Sequence, residues 1–140
     1  MIGRVLLDTG PLLALINKRD QHHAWAVARF ADMKPPLLTC ESVLAEACHL
    51  TDRLRGGKQG VLELIQRGAV ELAFALKEHF TPVSSLMRRY ANVPMSLADA
   101  CLVRMSELVA DAVVFTLDSD FRIYRRHSRQ SIPLLIPPHG

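Results

Sequence analysis

The sequence predicts an α/β fold in which a parallel sheet carries helices on both faces, and three observations predict it. Five short apolar runs, at residues 3–7, 37–39, 69–74, 112–117 and 132–136, are too short for helices and read as buried strands. Helical segments lie between them, the pattern of crossover connections in a parallel sheet. The chain has 140 residues, 49% of them hydrophobic and 22% charged, which suffices to close one core. Residues 1–140 are therefore expected to form a single domain.

Each element has a local cause. The first run, GRVLL, stops at Asp8-Thr9-Gly10-Pro11. Thr9 or Gly10 is expected to cap the helix that follows. Pro11 falls in its first turn, where a missing N–H costs nothing. A second helix over about 22–33 ends at Pro35-Pro36, and Leu37-Leu38-Thr39 forms the second strand. Residues 41–54 place Val43, Ala47, Leu50 and Leu54 on one helical face, until Gly56-Gly57 breaks the pattern. A helix over 58–67 ends at Gly68, a C-terminal glycine signal. After the third strand, residues 76–91 read as helix, with Pro82 near the start or at a break. Pro94 closes that region and Ser96 opens the strongly helical SLADACLVRMSELV. The fourth strand, AVVFTL, leads through Asp118 to a short helix. Pro133 puts the fifth strand at an edge.

Several function classes drop out. No apolar run approaches the ~18–20 residues of a membrane span. Asp8 interrupts the first run too early for a secretory signal. Cys40, Cys48 and Cys101 are an odd number without a CxxC pair, and they read as buried free thiols in a reducing, cytoplasmic compartment. Cys40, Cys48 and His49 have the wrong spacing for zinc. His22 and His23 lie in polar surroundings that suit a surface position. No GxGxxG, GxSxG or phosphate-binding loop is present. A dehalogenase-type phosphatase would need a second Asp two residues after Asp8, where Gly10 stands. The net charge is +3, and no acid follows Asp120 whereas Arg122, Arg125, Arg126 and Arg129 do, a distribution compatible with a polyanionic partner.

The acids carry the chemistry. Ligands of open α/β sheets bind beyond the carboxyl ends of the strands. Asp8 follows the first strand and Asp118 the fourth, and Asp99 lies in the first turn of a helix. Glu46 lies about 40° from Leu50 on a helical wheel and borders the apolar stripe, whereas Glu41 points to the opposite side. Each acid also has a structural role open to it. Asp8 and Asp118 can cap helices, Asp99 can complete a capping box with Ser96, and Glu46 can be a solvated side chain. Four gathered carboxylates would repel one another unless a cation held them. Oxygen-only donors suit Mg2+ or Mn2+, ions used in phosphoryl chemistry.

In four blocks the sequence resembles the PIN-domain nucleases, and most closely the VapC-like toxins of toxin–antitoxin pairs. VLLDTGPLLALI, TCESVLAEACHL, MSLADACLVRMSEL and VFTLDSDF occur in the family's order and span residues 5–121. The resemblance implies a three-layer α/β/α sandwich around a mainly parallel five-stranded sheet. It implies a metal-dependent endoribonuclease that hydrolyses RNA phosphodiesters with Mg2+ or Mn2+. It makes Asp8, Glu46, Asp99 and Asp118 the catalytic set, Asp8 and Asp99 as metal ligands with Glu46 and Asp118 supporting. Thr9 and Thr116 match positions that hydrogen-bond within that site. Arg88, Arg89 and Arg122 are the candidates to hold RNA. A homodimer and a cognate antitoxin are the expected protein partners. The competing reading is a non-catalytic RNA-binding or RNA-processing protein of the same fold.

Overall fold

The computed structural model describes residues 3–138. Its main sheet has the strand order β3-β2-β1-β4-β7, all neighbours parallel. The strands are β1 (Val5–Leu7), β2 (Leu37–Thr39), β3 (Val70–Leu72), β4 (Val113–Phe115) and β7 (Leu134–Leu135). Helices α1 (Thr9–Ile16), α2 (His23–Ala31), α3 (Glu41–Leu50), α4 (Gly57–Gln66), α5 (Leu76–Arg89) and α6 (Leu97–Leu108) flank it. All five sequence-predicted strands form, each within its predicted run. The fifth stands at the sheet edge, where Pro133 needs no ladder N–H.

The chain steps outward from β1 to β2 to β3, then crosses back to β4 beside β1. Parallel crossovers are right-handed, so this reversal moves α5 and α6 to the other face of the sheet. Helices α1 to α4 pack on one another in one layer, and α5 packs on α6 in the other. The core is centred on β1, whose Leu6 and Leu7 are fully buried, and on α6, where Cys101, Leu102 and Val103 are too. The β1/β4 junction is the switch point of the sheet. There the Asp8 N–H donates to the Phe115 carbonyl at 3.0 Å.

Two boundaries differ from expectation, the break near Pro82 and the short helix after Asp118 form as expected, and a small hairpin appears that the sequence does not announce. Asp8, rather than Thr9 or Gly10, caps α1. Helix α3 stops at Leu50, not at 54, because the Thr51 hydroxyl donates back to the Ala47 carbonyl and residues 51–56 turn. Helix α5 has a non-helical break at His79, three residues before Pro82, whose ring lacks the N–H that would bond Glu78. Beyond Asp118 only Ser119–Arg122 are helical, as a 3-10 turn. Arg125–Arg126 (β5) instead pair antiparallel with Gln130–Ser131 (β6). His127 and Ser128 make the tight turn of that hairpin with φ of 51° and 67°. Glu107 on α6 anchors it by accepting from the His127 N–H at 2.7 Å. Gly68, at φ 83°, ends α4 as the sequence predicts.

Candidate functional site

The first turns of α1, α6 and the 3-10 helix meet at the carboxyl edge of the sheet, with an acid at the cap of α1 and of the 3-10 helix and in the first turn of α6. Asp8 Oδ1 accepts from the Thr9 N–H at 2.8 Å and caps α1. Asp99 and Ser96 form a reciprocal capping box at the start of α6. Asp118 Oδ1 accepts from the Asp120 N–H at 2.8 Å and caps the 3-10 helix. The structural roles open to these three acids are thus all filled. They do not exclude a site, because all three acids line one open cleft of about 450 Å3, together with Thr9 and Glu46. Asp99 Oδ1 and Asp118 Oδ2 accept no hydrogen bond among the described residues.

The acids are coupled. Thr116, one residue past β4 as Asp8 is one residue past β1, donates its hydroxyl to Asp8 Oδ2 at 2.6 Å and accepts from the Asp118 N–H at 2.9 Å. One hydroxyl therefore ties the segments after both central strands together. Asp8 is 6% exposed. Burial pushes its carboxyl up from 3.8 to about 7, against the lowering bonds from Thr116 and Thr9, and the charges of Asp99 and Asp118 add to the rise. Asp99 is also raised, first by burial and then by Asp118, while bonds from Ser96 and Tyr124 lower it.

Two expected residues sit differently. Glu46 stands exposed on the rim of the cleft, beside a buried stripe of α3 that consists of Val43 and Ala47 and does not extend to Leu50, itself 54% exposed. Thr9 contributes its backbone N–H, and its buried hydroxyl has no partner among the described residues. Thr116 is placed as expected. Asp120 is in the first turn of the 3-10 helix but is not its cap; Asp118 is. Of the arginines, Arg122 lines a neighbouring cleft that shares Leu117 with the acidic one. Arg88 bonds Ser84 on α5, and Arg89 lines a separate groove with Glu107.

Sequence reasoning missed Tyr124. Its hydroxyl donates to Asp99 Oδ2 at 3.0 Å, and its fully buried ring packs edge-on against Tyr90 and Phe121. It lies in an arginine-rich stretch with no fixed spacing to the acids, so only the fold brings it to Asp99.

Whether these residues fit a divalent cation can be tested on the donors. Among the described residues, no three His, Cys, Asp or Glu side chains are grouped to enclose an ion. Mg2+, however, keeps several waters and needs only one or two carboxylates. Asp8, whose ionisation burial opposes first and the charges of Asp99 and Asp118 further, and Asp99, with a free Oδ1, meet that need. The partnerless Thr9 hydroxyl supplies an oxygen beside Asp8. The donor set fits. The three cysteines are free, and Cys40 and Cys101 are buried away from such a role.

The family model described as PIN domain matches residues 5–126. Among solved structures, the chain is similar to Mycobacterium tuberculosis VapC20, described as a sarcin-ricin loop cleaving toxin. That match has a TM-score of 0.67 and 24% sequence identity over 83% of this chain and 91% of the other. No curated protein matches. No helix among the described residues is long and apolar enough to cross a membrane.

Proposed function

This chain belongs to the PIN-domain family, and from that membership and its acidic cleft we propose that it is a divalent-metal-dependent endoribonuclease, the toxin of a toxin–antitoxin pair. The observation that carries the reading is the meeting of Asp8, Asp99 and Asp118 in one cleft at the switch point of the sheet. Asp8 and Asp99 would hold Mg2+ or Mn2+, with Glu46 and Asp118 supporting. A cation bound there supplies a Lewis acid that offsets charge building on the phosphate and makes water more acidic.

The chain's own groups do the rest. The caps fix each carboxylate on a rigid helix start, so little reorganisation accompanies the reaction. Thr116 orients Asp8 through its hydroxyl, and Tyr124 orients Asp99. Glu46 and Asp118 face the cleft where they can take a proton from an attacking water. The cleft is open, as a polymeric substrate requires. RNA as substrate draws support from the excess of basic residues and from the described activity of the VapC20 toxin. A homodimer and a partner antitoxin belong to the same reading.

The test is cleavage of total RNA by the purified chain with Mg2+, with Mn2+ and with EDTA. Asp99→Asn keeps the shape of the capping box but removes the charge. It is expected to abolish metal-dependent cleavage while leaving the melting temperature unchanged or higher. RNA cleavage by Asp99→Asn at the wild-type rate would refute the assignment. RNA binding without cleavage under every condition would favour a non-catalytic RNA-binding protein.

A further inference from the structure

A second cleft of about 350 Å3 opens beside the acidic one, and its lining includes Gln21, His22, Ser119 and Arg122. The two share a wall, Leu117, which stands between Thr116 and Asp118. No acid lines the second cleft, so it offers an amide, an imidazole, a hydroxyl and a guanidinium. The Arg122 guanidinium has no ion-pair or hydrogen-bond partner among the described residues. Its backbone is set by the 3-10 helix that Asp118 caps, so Arg122 is held at a fixed place relative to the acids. The segment that carries Gln21 and His22 is also preset. Asp20 accepts from the His22 N–H at 2.8 Å, and His23 bonds the Ala14 carbonyl through Nδ1 at 2.6 Å.

These features suit a polymer better than an isolated small anion. A strand with one phosphate among the acids can continue past Leu117 into the second cleft, where its next charge would meet an unpaired arginine. The volume lies within the range of small-ligand sites and has room for one nucleobase.

Resting on the ribonuclease reading above, we propose that this second cleft is a nucleotide subsite. Arg122 pairs with the phosphate next to the scissile one. Gln21 and His22 receive the adjoining base, the imidazole by stacking and the amide by hydrogen bonds to the base edge. Gln21 is thereby a specificity-determining residue.

The test uses fluorescence anisotropy with a labelled single-stranded RNA of roughly 12 nucleotides, in EDTA so that the RNA stays intact. Arg122→Ala should weaken binding about tenfold and lower the slope of log affinity against log salt by about 0.7, the value of one phosphate contact. Arg122→Lys should restore the slope. The double variant Gln21→Ala/His22→Ala should weaken binding about fivefold without changing the slope, and should alter the ranking of the four homopolymer RNAs. Arg4→Ala, at the opposite end of the sheet, serves as a basic control and should stay within about twofold. Binding by Arg122→Ala within about twofold of wild type at an unchanged slope, or an unchanged homopolymer ranking in the double variant, would overturn the subsite. The ribonuclease reading fails separately, through a wild-type chain that binds the RNA in EDTA yet leaves it uncut in Mn2+.

Discussion

At the scale of single residues, Asp8 carries the largest electrostatic cost in the site. Its carboxyl is raised from 3.8 to about 7, chiefly by burial. Between those values the folded, metal-free chain binds more protons than the unfolded chain. The contribution of Asp8 to stability is therefore greatest in acid and falls as pH rises through that window, by roughly 4 kcal/mol at most. Thermal melts in EDTA across the window should show this fall, and Asp8→Asn should flatten it. Millimolar Mg2+ should recover stability at about pH 8 but not below about pH 4, where the site is protonated. A melting temperature in EDTA that rises from about pH 4 to about pH 8, with the rise lost in Asp8→Asn, would reverse the argument.

Tyr124 acts through Asp99. Its hydroxyl stabilises the charged carboxylate, so Tyr124→Phe raises the Asp99 pKa further. The acidic limb of the pH–rate profile should move to higher pH, and cleavage at neutral pH should fall about fivefold, with a stability loss of about 1 kcal/mol. A change in stability alone, with the profile unmoved, would reduce Tyr124 to a packing residue.

At the scale of elements, the 3-10 turn separates two acids that the sequence places two residues apart. Asp118 lines the acidic cleft and caps the turn, whereas Asp120 does neither. Asp118→Asn keeps a good cap and should lower the cleavage rate at least about tenfold with little change in melting temperature. Asp120→Asn should keep most activity. Its stability cost should also be small, since the turn does not depend on it. Turnover and melts of both variants decide the matter, and an inactive Asp120→Asn beside an active Asp118→Asn would reverse the assignment.

The same region marks where the sequence stops being legible. Strands such as VLL and VVF announce themselves because burial on both faces demands continuous apolar runs. The caps Ser96 and Gly68 are visible because helix ends need particular side chains. The β5–β6 hairpin is not visible, because RR and QS show no apolar alternation and its turn uses His127 and Ser128 instead of Asn-Gly. It is held by Glu107, a contact 20 residues distant. Asp8, Asp99 and Asp118 could be found from their places after strands and at helix starts, and Thr116 only through the resemblance to the family. The exposure of Glu46 could not, because it depends on how far the neighbouring layer reaches over α3.

At the scale of the whole molecule, several large apolar side chains remain in water, including Phe80 at 61% exposure, Leu50 at 54% and Ile123 at 52%. A two-fold dimer that covers part of this surface and lines a shared groove with basic residues is the expected assembly. Light scattering at high concentration should give twice the chain mass of 15.6 kDa. A mass equal to one chain there would count against it.

The hydrogen bond from Thr116 to Asp8 spans 108 residues of sequence. A ribosome adds roughly 5–20 residues per second, so Asp8 waits roughly 5–20 s for its partner to be made. During that time β1 has β2 to pair with but not β4, and neither Asp118 nor Tyr124 exists. The nascent chain therefore carries Asp8, then Glu46 and Asp99, before it carries the residues that complete the cleft. On the proposed activity, the chain can therefore cut no RNA until its synthesis has passed Tyr124.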